Sequence, residues 1–145
     1  MNNRSILIII VSLLLSVMPI PSFAESNIVV VVHPSNSINT MTQDEIRRIY
    51  LGKNKLFENG SSVAPIDAQK RSSRRLEFYK KVVEKNPSQI SSYWSRLIFT
   101  GKGAPPRVID SDDEILAWVE SHSNSIAYIN KQRVTKGVKV VFRLP

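Results

Sequence analysis

The chain has 145 residues, with 20 Lys and Arg against 12 Asp and Glu for a formal charge of +8, and it contains no cysteine. Without cysteine there is neither a disulfide framework nor a thiolate metal centre, so the fold must be held by packing alone. A basic balance favours anionic partners over cationic ones: inorganic oxyanions, anionic lipid or polysaccharide, or an acidic protein surface.

Residues 1–24 read as a secretory signal peptide. Arg4 precedes a predominantly apolar run from Ile6 to Leu15, and Ser22-Phe23-Ala24 places small residues at the −3 and −1 positions of a cleavage site. A membrane span needs about 20 apolar residues, and Pro19 and Pro21 interrupt this one. The working protein is therefore expected to begin near Glu25, outside the cytoplasm, with residues 25–145 forming one domain and no stable membrane insertion after cleavage. Arg4 is the only charge in the leader, which leaves 19 basic residues against 12 acidic ones. Nucleic acid is a poor partner in that compartment.

Ile28-Val29-Val30-Val31-Val32 is a β-branched run without alternation, as expected of a strand covered on both faces. Thr42-Gln43-Asp44-Glu45 has the form of a capping box and opens a helix carrying Ile46, Ile49 and Tyr50, closed by Gly52. Asn59-Gly60 marks a turn, and Val63–Ile66 a short strand. From Ser73 to Lys85 the residues Leu76, Phe78, Tyr79, Val82 and Val83 fall on one helical side. Lys70, Arg74, Lys81 and Lys85 fall on the other, predicting an exposed basic stripe. Asn86-Pro87-Ser88-Gln89 starts a further helix with Ile90, Trp94, Leu97 and Ile98 on its apolar side. Val108-Ile109 is a candidate short strand, Ser111–Glu114 another capping box, and Ile126–Ile129 and Val138–Phe142 are closing strands. The alternation predicts an α/β domain with helices packed on a small sheet.

Signals of catalysis are thin. His33 and His122 stand alone, with no spacing that makes a metal pair, and no phosphate loop or nucleophile elbow occurs. The acids Asp110, Asp112, Asp113 and Glu114 are explained by helix capping and the helix dipole. No metal or other cofactor is expected. The segment Lys70-Arg71-Ser72-Ser73-Arg74-Arg75 lies between a strand and a helix, where free amides, hydroxyls and guanidinium groups can meet a tetrahedral oxyanion. Ser72 or Ser73 capping the helix, with the arginines in solvent, explains the same residues. The loop Ser35-Asn36-Ser37 follows the first strand, and in open α/β sheets ligands gather at the carboxyl ends of strands.

The ordered set Ile28–Asn36, Thr42–Lys53, Val63–Asp67, Ser72–Phe78, Tyr93-Trp94, Ile98–Gly103, Pro105-Pro106 and Ser125–Ile129 resembles the substrate-binding proteins of phosphate ABC importers. The resemblance implies a single periplasmic-binding-protein-like lobe, a small mixed sheet flanked by helices, equivalent to one lobe of a two-lobed protein. It also implies a periplasmic location and an ABC permease or other envelope protein as partner. The chain departs from the family where relatives have a Gly-Ser-Gly-Thr-like turn: here Arg71-Ser72-Ser73-Arg74 stands, and the family's phosphate-binding Arg falls on Ala68. The family's Pro-Gly before the crossing-back strand is Ser123-Asn124, where Asn can supply a left-handed turn. The expected function is non-catalytic binding of a small oxyanion, phosphate first. Ser72, Ser73, Arg71 and Arg74 would hold it from one side, with Ser35 and Asn36 approaching from a facing loop. The alternative is a ligand-free module that docks an envelope partner through the basic stripe.

Overall fold

The computed structural model describes residues 25–145; the signal-peptide reading of residues 1–24 lies outside them. Five strands form one sheet: β1 (Ile28–Val32), β2 (Ala64–Ala68), β3 (Arg107–Ile109), β4 (Ser125–Asn130) and β5 (Lys139–Arg143), in the order β3-β2-β4-β1-β5. Helix α1 spans Gln43–Tyr50, α2 Ser73–Phe78 continuing as a π-helical turn over Tyr79–Val83, α3 Pro87–Phe99 and α4 Asp112–Ser121. Among the described residues no helix is long and apolar enough to cross a membrane.

The strand directions decide where any ligand can sit. β2 pairs in parallel with both β3 and β4. β1 runs against β4 (Ile28 opposite Asn130, Val32 opposite Ile126) and against β5 (Val29 opposite Arg143, Val32 opposite Lys139). β1 is thus the one strand reversed relative to the other four. The carboxyl ends of β2, β3, β4 and β5 gather at one end of the sheet, and the carboxyl end of β1 lies at the other.

The β-branched run behaves as its composition requires, since all five residues of β1 are buried between β4 and β5. Both halves of the Thr42 capping box form, with the Glu45 amide donating to Thr42 Oγ1 and the Thr42 amide donating to Glu45 Oε2. The Asn86–Gln89 box forms likewise, with Pro87 in the first turn. At α4 the Ser111 hydroxyl caps the Glu114 amide. Gly52 sits at φ +67°, a left-handed position that a residue with a Cβ enters reluctantly. Asn124 is not left-handed, contrary to the sequence expectation, because Glu84 is the only non-glycine residue with positive φ among the described residues. The turn is closed instead by the Ser125 amide and hydroxyl, both donating to the His122 carbonyl.

The core is aromatic at its centre. Phe78 stacks on Tyr128 with ring centroids 3.9 Å apart, and Tyr50 meets both rings edge-on. The Tyr50 hydroxyl donates to the carbonyls of Ile66 and Ile126, tying α1 to β2 and β4. Full burial of side chains such as Ile46, Phe78 and Ile126 contributes about 1.5–3 kcal/mol each.

Phe78, Tyr79, Val82 and Val83 are buried as predicted, with one exchange at the start of the helix. Arg75 is buried while Leu76 is 43 % exposed. Arg75 lies at the centre of the arc that Phe78, Tyr79 and Val82 mark at helical spacing and is buried against Asp67, while Leu76 falls at the edge of that arc.

Candidate functional site

The strand-to-helix segment after β2 brings together most of the chemistry of the molecule. Asp67, near the carboxyl end of β2, is 3 % exposed. Its Oδ2 accepts from Arg75 Nε at 2.9 Å and from the Tyr79 hydroxyl at 2.8 Å, while Oδ1 accepts from the Tyr128 hydroxyl at 2.5 Å. The Ala68 amide donates to Asp67 Oδ1 and to the Tyr128 oxygen. Arg75 also lies over the Tyr79 ring, 4.3 Å from its centroid. Burial alone would pull the Arg75 guanidinium down, but the charge and hydrogen bond of Asp67 outweigh it and hold it above its ordinary value. Burial, reinforced by the negative charge of Asp67, pushes the Tyr79 and Tyr128 phenols well up, so both are neutral donors across the physiological range.

The sequence reading includes Arg75 in the basic segment Lys70–Arg75 without giving it a role of its own, and it does not single out Asp67. The signal was present in the spacing, since Arg75, Phe78, Tyr79 and Val82 recur at helical intervals and all four are buried.

The six residues singled out from the sequence are distributed over three places. Ser72 is the N-cap of α2: its oxygen accepts from the Arg75 amide and its hydroxyl donates to the Gln69 carbonyl. The Leu76 amide donates to the Ser72 carbonyl. Of the four first-turn amides that a helix leaves unpaired, those of Ser73 and Arg74 remain for a ligand or solvent.

Ser73 and Arg74 border a polar cleft of about 470 Å³, facing Ser26, Asn27 and Asn130, where the chain enters β1 and leaves β4; Glu25, Glu77 and Lys81 also line it, Glu77 paired with Lys81. Arg74 is not solvated as expected. It pairs with Asp112 at the start of α4, and its Nε is buried with no hydrogen-bond partner among the described residues. Arg71 is exposed and lines a different cavity, on the α3 side, together with Lys70, Asp67 and Arg75.

Ser35 and Asn36 do not join either group. Ser35 bonds the His33 ring, through its hydroxyl and its amide, and Asn36 Oδ1 accepts from the Ile38 amide. Lys139 Nζ donates to the Asn36 carbonyl, and Asn59 donates to the Ser37 hydroxyl. This loop follows β1, whose carboxyl end pairs with the amino end of β4. The amino end of β4 in turn lies beside the amino end of β2, Ser125 opposite Ala64. The rule that ligands gather at strand carboxyl ends assumes parallel strands, and the reversal of β1 sends its loop to the opposite end of the sheet.

The basic stripe is also interrupted. Arg74 is taken up by Asp112, while Lys81 pairs with Glu77 and donates to the Pro145 carbonyl. The acidic cluster at α4 is committed in the same way, Asp112 to Arg74 and Asp113 to Arg133. Among the described residues no group of three or more His, Asp or Glu side chains is placed to hold a metal ion.

No family model matches the chain, and no curated protein matches it. Solved structures do. A structure from Clostridium perfringens with bound phosphate, assigned to the phosphate ABC transporter substrate-binding proteins, superposes with a TM-score of 0.65 at 20 % identity, covering 79 % of this chain and 44 % of that one. An ABC-type phosphate transport receptor from Vibrio cholerae gives 0.65 at 19 % identity, covering 79 % and 45 %. PstS from Borrelia burgdorferi gives 0.58 at 16 % identity, covering 80 % and 46 %. The chain spans less than half the length of these structures, and it has the mixed α/β fold of a single periplasmic-binding-protein-like lobe.

Proposed function

We propose that this chain is an exported, non-catalytic binding protein for a small oxyanion, phosphate first among the candidates, acting in the periplasm alongside an ABC permease or another envelope protein. The carrying observation is the start of α2. Ser73, Arg74 and the positive end of the helix border one polar cleft at the end of the sheet where four strands terminate, with the Arg74 guanidinium held there by Asp112. Ser73 and Arg74 donate to the anion, Ser72 holds the helix start in place, and Asp112 fixes the Arg74 guanidinium. Arg71 adds to the positive field from outside the cleft. The likeness to phosphate transport receptors supports this class of ligand.

The test exploits the position of Ser73. It is the first helical residue, and Ser72 before it is extended at φ −67°, ψ 140°, a conformation compatible with a following proline. Ser73→Pro therefore deletes one amide donor and one hydroxyl while leaving the cap intact. Millimolar phosphate should raise the melting temperature of the native protein saturably, with sulfate and chloride at matched ionic strength as controls. Ligand at 100-fold its dissociation constant adds about 2.7 kcal/mol. The reading fails if Ser73→Pro, folded, keeps the full phosphate response, or if every salt gives the same shift.

A further inference from the structure

We infer that the cavity between the end of β2 and helix α3 binds an organic anion: one carboxylate or phosphate head on a flat apolar body. The cavity measures about 410 Å³, within the range of roughly 300–1,000 Å³ that small-molecule sites occupy. Its apolar part is made by Ile90 and Trp94 of α3 with Pro105 and Pro106, and its basic part by Lys70 and Arg71. Ile98 and Val108, also lining it, are 57 % and 42 % exposed, so apolar surface continues from the cavity toward solvent. Ser91 and Ser95 add hydroxyls from successive turns of α3.

The charge arithmetic favours an anion. Asp67 reaches this cavity, but its carboxylate is compensated by Arg75, leaving Lys70 and Arg71 as a net positive pair with no carboxylate partner among the described residues. The indole of Trp94 supplies a separate indication. Trp94 is 6 % exposed, and its Nε1 is buried without a hydrogen-bond partner among the described residues. A buried indole N–H ordinarily has an acceptor. A Cβ added at Gly52 or Gly103 would meet the far edge of the indole, so the ring occupies the room that these two residues leave by having no side chain. A flat ligand body stacks in the space bounded by Trp94, Pro105 and Pro106, presents an acceptor to Nε1, and directs its anionic head to Arg71 and Lys70.

This site shares none of the donors of the oxyanion cleft, where Ser73 and Arg74 act, and does not rest on that reading. The probe is 1-naphthyl phosphate, compared with 1-naphthol and inorganic phosphate by calorimetry and by intrinsic tryptophan fluorescence. The expected result is a saturable change in tryptophan fluorescence with naphthyl phosphate, at least tenfold tighter than with 1-naphthol, while inorganic phosphate, which the oxyanion cleft takes, leaves the fluorescence unchanged. Lys70→Ala with Arg71→Ala, both exposed positions, should weaken it at least tenfold. Ser95→Trp, also at an exposed position, should abolish it by filling the cavity. Ser73→Pro should leave it unchanged. Equal binding by wild type and the Lys70/Arg71 double variant, equal binding of 1-naphthol, or loss of binding in Ser73→Pro would each overturn the assignment.

Discussion

Asp67→Asn is the most informative single perturbation of this fold. The substitution keeps the shape of the side chain and removes its charge, leaving the Arg75 guanidinium, whose side chain is 10 % exposed, without a counter-ion. Two phenols, of Tyr79 and Tyr128, also donate to this carboxylate. An amide has one acceptor oxygen where the carboxylate has two, so at least one of the four donors, the Ala68 amide included, loses its acceptor. Breaking a buried pair by removing one partner costs about 3–5 kcal/mol. The cation–π contact of Arg75 with Tyr79 is present before and after and does not offset the loss. A loss of about 3–4 kcal/mol is therefore expected, a large share of the roughly 5–15 kcal/mol typical of a domain. It should lower the melting temperature by about 10 °C or more. Urea unfolding of the wild type, Asp67→Asn, Arg75→Met and the double variant completes the cycle. The double variant should be clearly less destabilised than the sum of the singles, because an apolar replacement strands no charge. A single-variant loss below about 1 kcal/mol, or simple additivity, would refute the claim that the pair is a coupled buried unit.

Three further outcomes are expected. Burial pushes the phenols of Tyr50, Tyr79 and Tyr128 above the ordinary value of 10.0, with the charge of Asp67 adding to each. Below pH 10 both folded and unfolded chains keep these protons. Above it only the unfolded chain releases them, so stability falls by up to about 1.4 kcal/mol per pH unit for each tyrosine. Tyrosinate absorbance from these three should then appear together with the loss of circular dichroism; gradual titration near pH 10 in a folded protein would contradict the burial argument. Gly52→Ala should lose about 1–3 kcal/mol in urea unfolding, since a Cβ there is held at φ +67° and meets Trp94 Cη2 at 3.1 Å; a neutral substitution would mean that Trp94 gives way freely. Thr42→Ala removes the N-cap half of a reciprocal capping box and should cost about 1 kcal/mol by the same assay, whereas an unchanged midpoint would show α1 to be held by packing alone.

Much of the architecture is legible because its signals are local. Capping at Thr42, Asn86 and Ser111 depends on residues three apart, and the buried run of β1 declares itself by composition. The site is less legible because its determinants are non-local. Nothing within Ile28–Val32 states which way that strand runs relative to β4, and this direction alone removes Ser35 and Asn36 from the neighbourhood of Ser72. Arg74 looks exposed in a helical projection until Asp112, 38 residues away, arrives beside it. Asp67 lies in a short strand where a single acid looks unremarkable, and it acquires meaning only when Tyr128, 61 residues away, closes over it. Arg75 sits on the buried side of its helix by ordinary helical spacing, but a basic residue is read as exposed until the counter-charge of Asp67 is in place.

The reversal of β1 also makes the molecule two-ended in a way that can be used at the bench. The Ser35–Ser37 loop is tied down by Lys139 and Asn59 at the far end of the sheet from both cavities. A cysteine at the exposed Ser35 position would be the chain's only thiol. It would let the protein be immobilised on a sensor surface, or carry a dye, with the α2 cleft facing the solution.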